Sequence, residues 1–356
     1  MRLVITGATG NVGSSLVERL ADEDRVTEIV GVARRRPHRP AAKTTWVQAD
    51  VAADDLADVV RGADAVVHLA WTFHPIRDAA RTWRNNALGS IRVFEAAAAA
   101  GVGALVHASS VAAYSPAADD APVDETWPTH ALPTAGYGRE KSYAERALDI
   151  VERDHPGMRV VRLRPGFIFQ RASASEQRRY FAGPLVPGAL ARPDLIPVVP
   201  DLPGLRFQAL HARDAAEAYR LALVRDVRGA FNIAAEPILD AASLADLLGA
   251  RVVRMPAWVP RALLTAAWSL RLVPASQALF DLALSLPVMD TARARTELGW
   301  APTVPALDAV REVMAGLREG SGGQTPPLDV DGSVTARLDE IRTGVGGVGG
   351  VTDDGR

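Results

Sequence analysis

Leu3-Val4-Ile5-Thr6-Gly7-Ala8-Thr9-Gly10-Asn11-Val12-Gly13 follows Met1-Arg2 and sets the reading of what comes after it. Three strand formers run into a glycine-rich turn. Val12, Leu16 and Leu20 then recur at every fourth position, the spacing of one helix face. Gly7 permits a tight turn, Gly10 has no side chain to block a pyrophosphate, and Gly13 lets the helix lie close on the strand. The helix N-terminus adds free N–H groups and a positive dipole end. A glycine pattern alone is weak evidence. Strand, turn and helix in that order make Gly7, Thr9, Gly10, Asn11, Val12 and Gly13 a dinucleotide cradle.

Outward from this unit, near-continuous apolar runs of strand length recur at 28–33, 45–49, 65–69, 104–108 and 159–163. Runs without alternation suit strands covered on both faces. Helical patterns lie between them: an Ala-rich stretch over 79–100 that ends at Gly101, and one over 137–153 that stops before Pro156. This alternation predicts an α/β fold, a Rossmann-like doubly wound parallel sheet. After Pro165 the rhythm changes. Residues 173–203 are rich in Pro, Gly and Arg, a strand-helix pair is expected at 207–210 and 212–225, a strand at 230–233, and mainly helix over 241–318. The predicted organisation is a dinucleotide-binding domain over 1–165 with returns at 207–235, and a smaller, mainly helical substrate domain from 166–206 and 236–319. Residues 320–356 have few large apolar side chains and read as a flexible tail.

Composition narrows the function. Hydrophobic residues are 48% and charged residues 23% of 356, enough for a sizeable core, and the net charge of −2 attracts neither nucleic acid nor an anionic membrane. There is no cysteine, so disulfides, thiolate nucleophiles and cysteine-zinc sites are excluded. His74, His107 and His130 lack metal-ligand spacing, and no metal is predicted. No secretory leader and no run of about 18 apolar residues is present, so a cytoplasmic protein is expected.

Two later segments carry the chemistry. His107-Ala108-Ser109-Ser110 closes a strand, and Tyr137-Gly138-Arg139-Glu140-Lys141 opens a helix, with Tyr137 and Lys141 one turn apart on one face. With the T-G-x-x-G-x-x-G spacing and Arg164-Pro165-Gly166, the chain resembles the extended short-chain dehydrogenase/reductases, the NAD-dependent epimerase/dehydratase family. The likeness spans about residues 2–235, with an echo at Leu298-Gly299-Trp300-Ala301-Pro302.

Moving a hydride on or off a carbinol carbon also requires moving a proton. A free phenol has a pKa near 10, too high for a base at neutral pH. A nearby Lys141 ammonium would favour phenolate, while Ser110 would hold the substrate oxygen beside Tyr137. The resemblance implies Ser110, Tyr137 and Lys141 as catalytic residues, with Tyr137 and Lys141 also touching the cofactor. It further implies Ser109 as a cofactor contact or support, Asp50 and Val51 at the adenine, Leu69 and Ala70 as small residues beside the cofactor, Asn86 as a brace, and Pro165 and Gly166 as the nicotinamide wall. His68 reads as a packed strand histidine. His211-Ala212-Arg213-Asp214 resembles the family's H-x-x-D segment, read equally as a helix N-cap aspartate with a buried histidine. Pairing through the helices at 79–100 and 137–153 would give a homodimer.

NAD-selective folds place an acidic residue at the end of the second strand. Here that strand ends Ala33-Arg34-Arg35-Arg36, so Arg34 and Arg35 favour the 2′-phosphate of NADP over NAD. Ser109-Ser110-Val111 replaces the Thr-Asp-Glu of family dehydratases. That leaves an NAD(P)-dependent oxidoreductase acting on a small-molecule secondary alcohol or ketone, with a nucleotide-sugar epimerase as the alternative. A non-catalytic dinucleotide sensor is disfavoured because Ser110, Tyr137 and Lys141 are all kept. For the substrate region, Arg171, Arg178, Arg179 and Arg192 offer a diphosphate clamp. Trp258, Trp268, Phe280 and their Leu and Ala neighbours offer helix core or an apolar pocket.

Overall fold

The computed structural model describes residues 1–73, 78–117, 119–181, 196–270, 272–273 and 275–329. His74, Arg192 and the predicted tail beyond Asp329 lie outside the described residues.

The chain alternates as the apolar runs predict. Strand β1 (Arg2–Thr6) leads into helix α1 (Asn11–Leu20), then β2 (Glu28–Ala33), β3 (Thr44–Gln48), α2 (Ala57–Val60) and β4 (Ala65–His68). The Ala-rich stretch is α3 (Ala79–Thr82), a π-helical segment (Trp83–Leu88) and α4 (Gly89–Ala99); Gly101 follows at φ +68°, ending it. Next come β5 (Ala104–Ala108), α5 (Gly136–Asp154) and β6 (Arg159–Pro165). With Gly229–Ile233 these strands form a seven-stranded sheet in the order Gly229–Ile233, β6, β5, β4, β1, β2, β3, and every pairing is parallel.

Side-chain alternation along the strands divides the interior into two layers. Leu3 and Ile5, Val67, Val106, Val161 and Leu163 face a layer with Leu16 and Leu20 of α1 and Tyr219 of α7 (Ala212–Val224). Val4, Val66, Leu105 and Val160 face the other side, with Phe94 of α4 and Leu148 of α5. Both faces are apolar, which is why the sequence runs lack alternation. Each fully buried Leu or Phe here stabilises the fold by roughly 1.5–3 kcal/mol.

The second half departs from the sequence reading in three places. The strand expected at 207–210 does not return to the main sheet: Ala209–His211 pairs in parallel with Phe167–Phe169, and Arg206–Phe207 pairs with Leu239–Asp240. Residues from 294 onward, expected in the substrate domain, pack instead into the layer under β1. Ala294, Leu298, Trp300, Ala306 and Val310 belong to the same buried cluster as Leu3 and Ile5, because these side chains cap the end of α7. Trp300 Nε1 donates to Asp214 O at 2.8 Å, and the Asp214 carboxylate accepts from Thr303 Oγ1 at 2.7 Å and Val304 N at 2.9 Å. Third, the packed chain runs on past 319 to Asp329. Leu328 is buried, and Thr325 Oγ1 donates to Thr9 O at 2.7 Å. One buried leucine anchors a segment whose composition otherwise reads as unstructured.

The remaining helices are α6 (Ala174–Phe181), α8 (Ala241–Leu248), α9 (Trp258–Ser269), α10 (Gln277–Ser285) and α11 (Ala306–Glu319). Helix α9 is not helix core: it buries no residue, and Trp258 is 67% exposed. Among the described residues no helix is long and apolar enough to cross a membrane.

Candidate active site

The glycine turn is built as the sequence requires. Gly7 has φ +71°, and a Cβ there would lie 2.6 Å from Ala70 N. A Cβ on Gly13 would lie 2.3 Å from Gly7 O, so the start of α1 touches the turn backbone. Gly10 has only Gly7 O nearby, at 3.4 Å, and its open side faces two adjoining cavities.

The first cavity, about 140 Å³, is lined by Gly7, Thr9, Gly10, Arg34, Arg35, Asp50, Val51, Leu69 and Ala70 among others. The second, about 330 Å³, is lined by Gly7, Gly10, Asn11, Val12, Gly13, Leu69, Ser109, Ser110, Tyr137, Lys141, Pro165 and Gly166 together with a largely apolar wall. The two meet at Gly7, Gly10, Leu69, Trp71, Glu176 and Tyr180. Side-chain-free positions along this crease are what a bound dinucleotide needs, with one cavity for each end, and the residues present fit NAD or NADP.

Asn86 lines neither cavity; its neighbour Asn85 lines the first. The Asn86 amide instead accepts from Thr72 N at 2.7 Å and donates to Thr72 O at 3.1 Å and Glu140 Oε2 at 2.7 Å. It thereby ties the loop after β4 to α5, and it sits in the π-helical turn that aims its side chain inward. Asp50 lines the first cavity while one carboxylate oxygen accepts from Ala52 N at 2.9 Å.

Tyr137 is packed edge-on between Phe73 and Trp71, with ring centroids 5.0 and 6.1 Å away. Burial pushes its phenol up to about 12; the Ser110 hydroxyl works against this and Glu140 adds to it. Lys141 Nζ donates to Ala108 O at 2.7 Å and lies 3.4 Å from the centre of the Trp71 ring, but 5.9 Å from that of Tyr137. Burial drives this ammonium well below its usual range, against the pull of Glu140 and Glu145. Here the structure differs from the sequence reading. The ammonium was expected to make the phenol more acidic; burial instead raises the phenol, and the group that lowers it is the Ser110 hydroxyl.

Behind the cavity lies a buried ion-pair network. Ser109 Oγ donates to Glu145 Oε1, and Arg164 donates to both Glu145 oxygens, with Nε to Oε1 at 2.8 Å. Arg164 Nη1 also donates to Tyr114 Oη at 2.8 Å, and Tyr114 donates to Asn232 Oδ1 at 2.7 Å. Arg164 thus supports the end of β6, where Pro165 and Gly166 face the cavity. His68 is held at Nδ1 by Thr6 Oγ1 (2.7 Å) and at Nε2 by Ser90 Oγ (2.8 Å), and it stacks on His107. Burial lowers its pKa to about 3, so it is a neutral packing residue. His211, not Asp214, caps α7: its Nδ1 accepts from Arg213 N at 3.0 Å. Among the described residues no group of three or more metal-binding side chains occurs.

Three contributors escaped the sequence reading. Trp71 lines both cavities, and its indole N–H is buried without a partner. Glu176 and Tyr180 of α6 sit where the cavities join, with Tyr180 Oη donating to Glu176 Oε1 at 2.7 Å. Burial raises the Glu176 carboxyl to about 7, so it carries only part of a negative charge beside the glycine turn. A bulky residue just after the small pair Leu69-Ala70 was the available signal for Trp71. Nothing local marks α6, which arrives through tertiary packing.

The model of the NAD dependent epimerase/dehydratase family matches residues 3–234, most of the sheet and the whole Ser-Tyr-Lys region. The chain belongs to this family. Its members are enzymes with an NAD-binding Rossmann fold. Among relatives, an uncharacterized protein of Mycobacterium tuberculosis is 26% identical over 347 residues, 92% of this chain and 85% of its own length. An L-arabinose 1-dehydrogenase (NAD(P)(+)) of Haloferax volcanii is 33% identical over 189 residues, 49% of this chain and 70% of its own length. The Thermus thermophilus UDP-glucose 4-epimerase, solved in complex with NAD, is 20% identical and shares the fold with TM-score 0.67, covering 89% of this chain and 99% of its own.

Proposed function

We propose that this family member is an NAD(P)-dependent oxidoreductase that transfers a hydride between nicotinamide and a secondary alcohol or ketone carbon. The observation that carries this reading is one cavity shared by Ser110, Tyr137, Lys141 and the glycine turn. Gly7, Thr9, Gly10, Asn11, Val12 and Gly13 would hold the pyrophosphate, with Arg34, Arg35, Asp50 and Val51 around the adenosine and Ser109, Pro165 and Gly166 at the nicotinamide end. When bound, reduced nicotinamide supplies the two electrons as a hydride. Ser110 donates a hydrogen bond to the substrate oxygen, Tyr137 gives that oxygen its proton, and solvent restores the phenol. A phenol held protonated to about 12 is a proton donor at neutral pH, the role that ketone reduction asks of it. Lys141, whose Nζ donates to Ala108 O, would orient the nicotinamide ribose. The name of the Haloferax volcanii relative, a dehydrogenase using NAD(P), agrees with cofactor exchange at each turnover. The epimerase alternative would return the hydride to the same molecule.

The test is absorbance at 340 nm with NADPH and NADH supplied in turn. A net fall with a ketone is expected, faster with NADPH, and Arg34→Asp should erase or invert that preference. Product without net absorbance change, with cofactor retained through gel filtration, would mean epimerisation. An unchanged preference in Arg34→Asp would remove Arg34 from cofactor choice.

The reading extends to a homodimer paired through the outer face of α5 and the π-helical turn; Trp83 and Tyr143 rings 4.7 Å apart and the exposed Leu88 and Ile150 support it. Light scattering should give the mass of two chains, and Ile150→Asp should shift it toward one. A monomeric wild type would rule the pairing out.

A further inference from the structure

Past Ser110 and Tyr137 the second cavity is lined by Phe73, Phe167, Phe169 and Phe181 and by Leu279 and Leu282 of α10. Among the described lining residues the only charged groups are Lys141 and Glu176, and each has its partner: Ala108 O for Lys141 and the Tyr180 hydroxyl for Glu176. Of the arginines that the sequence offered as a diphosphate clamp, Arg192 lies outside the described residues, and Arg171 and Arg179 are used elsewhere. Arg171 pairs with Glu319 at 2.6 Å, Arg179 donates to Pro327 O, and neither they nor Arg178 line this cavity. Arg206, next along the chain, pairs with Asp120 and donates to Asp119 O at 2.8 Å. Among the described residues no guanidinium lines this cavity, and a diphosphate that left water without such a fork to receive it would be penalised. A free sugar fares little better. Its several hydroxyls would face phenylalanine and leucine, and each unpaired buried hydroxyl is penalised.

We propose that the substrate is a compact, apolar, ring-bearing ketone or its secondary alcohol, without phosphate and with a single reacting oxygen. The oxygen sits between Ser110 and Tyr137, and the hydrocarbon lies between Phe167 and the apolar face of α10. The cavity of about 330 Å³ also takes the nicotinamide end of the cofactor, so the part left past Ser110 and Tyr137 suits a compact ring system. The assignment rests on the oxidoreductase reading above for its reacting group, while the apolar wall fixes the rest of the molecule.

The probe is 1-tetralone, a bicyclic aryl ketone, with UDP-glucose and L-arabinose as comparators. Binding to the full chain is measured by calorimetry, and turnover by absorbance at 340 nm, with NADPH or NADH for 1-tetralone and with NADP+ or NAD+ for the two comparators, which are already at the alcohol oxidation level. The expected result is that 1-tetralone binds and is reduced, that UDP-glucose and L-arabinose neither bind nor compete, and that Leu279→Gln weakens 1-tetralone at least about tenfold. Leu279 is partly exposed, and an unchanged melting temperature certifies the variant's fold. Failure of 1-tetralone to bind, tighter binding of UDP-glucose or L-arabinose, or indifference to Leu279→Gln would each overturn the substrate class. Turnover of UDP-glucose or L-arabinose without 1-tetralone binding would leave hydride transfer standing. Leu279-dependent binding of 1-tetralone without any NADPH or NADH consumption would do the reverse.

Discussion

Tyr137→Phe is expected to lower turnover at least about 100-fold, the scale of a lost general acid, while cofactor affinity stays within about twofold. The substitution removes one hydroxyl and keeps the ring between Trp71 and Phe73, so the cavity keeps its shape. What is lost is the proton donor and the hydroxyl's hydrogen bond with Ser110. Its pH dependence follows from the raised phenol. Because burial holds Tyr137 protonated to about 12, ketone reduction by the wild type should stay level through the neutral and mildly alkaline range. Alcohol oxidation needs the phenolate, so its rate should climb with each pH unit over the same range. Steady-state rates in both directions between pH 6 and 10 check this. Wild-type turnover in Tyr137→Phe would end the assignment of the phenol as the proton donor.

Arg164→Leu should destabilise the protein by about 3–5 kcal/mol, the usual consequence of stranding one member of a buried ion pair. Glu145 is 1% exposed and Arg164 6%. Burial by itself would raise the Glu145 carboxyl; the Arg164 hydrogen bonds and charge outweigh it and hold the group below its usual range. A depressed folded pKa stabilises above the unfolded value, near 4.3, and that stability is lost as pH falls through the folded pKa. Without Arg164 the remaining burial reverses the sign: the folded pKa rises, and the carboxylate is penalised more as pH increases. The gap between wild type and variant should therefore widen from pH 5 to pH 8, reaching on the order of 10 °C in melting temperature. Removing the stranded charge in Arg164→Leu/Glu145→Leu should recover much of it. Equal melting of Arg164→Leu and wild type at pH 8 would show that the pair carries no such weight.

The legible part of this protein is its local part. Gly7 and Gly13 announce themselves because no other residue fits where a Cβ would meet backbone at 2.6 and 2.3 Å. The strands of the sheet are readable because covering on both faces demands continuous apolar runs. Tyr137 and Lys141 share a helix face by spacing alone. Where the reading failed, the deciding contact came from far along the chain. Residues 209–211 have a strand's composition, yet their partner is 167–169 and not the main sheet. Trp258 looks like core and is 67% exposed.

Sequence by itself determined the dinucleotide cradle, the parallel sheet and the identity of the Ser110, Tyr137 and Lys141 side chains, because each depends on residues within a turn or two of one another. Tertiary structure alone decided the electrostatics and the walls. Tyr137 and Lys141 are both shifted by burial, which is set by Trp71, Phe73 and the elements packed over them. Among the described residues, Arg171, Arg179 and Arg206 are turned to Glu319, Pro327 and Asp120, and apolar α10 lines the cavity. Desolvation and long-range pairing are properties of the packed molecule, summed over side chains distant in sequence, and no local pattern encodes them.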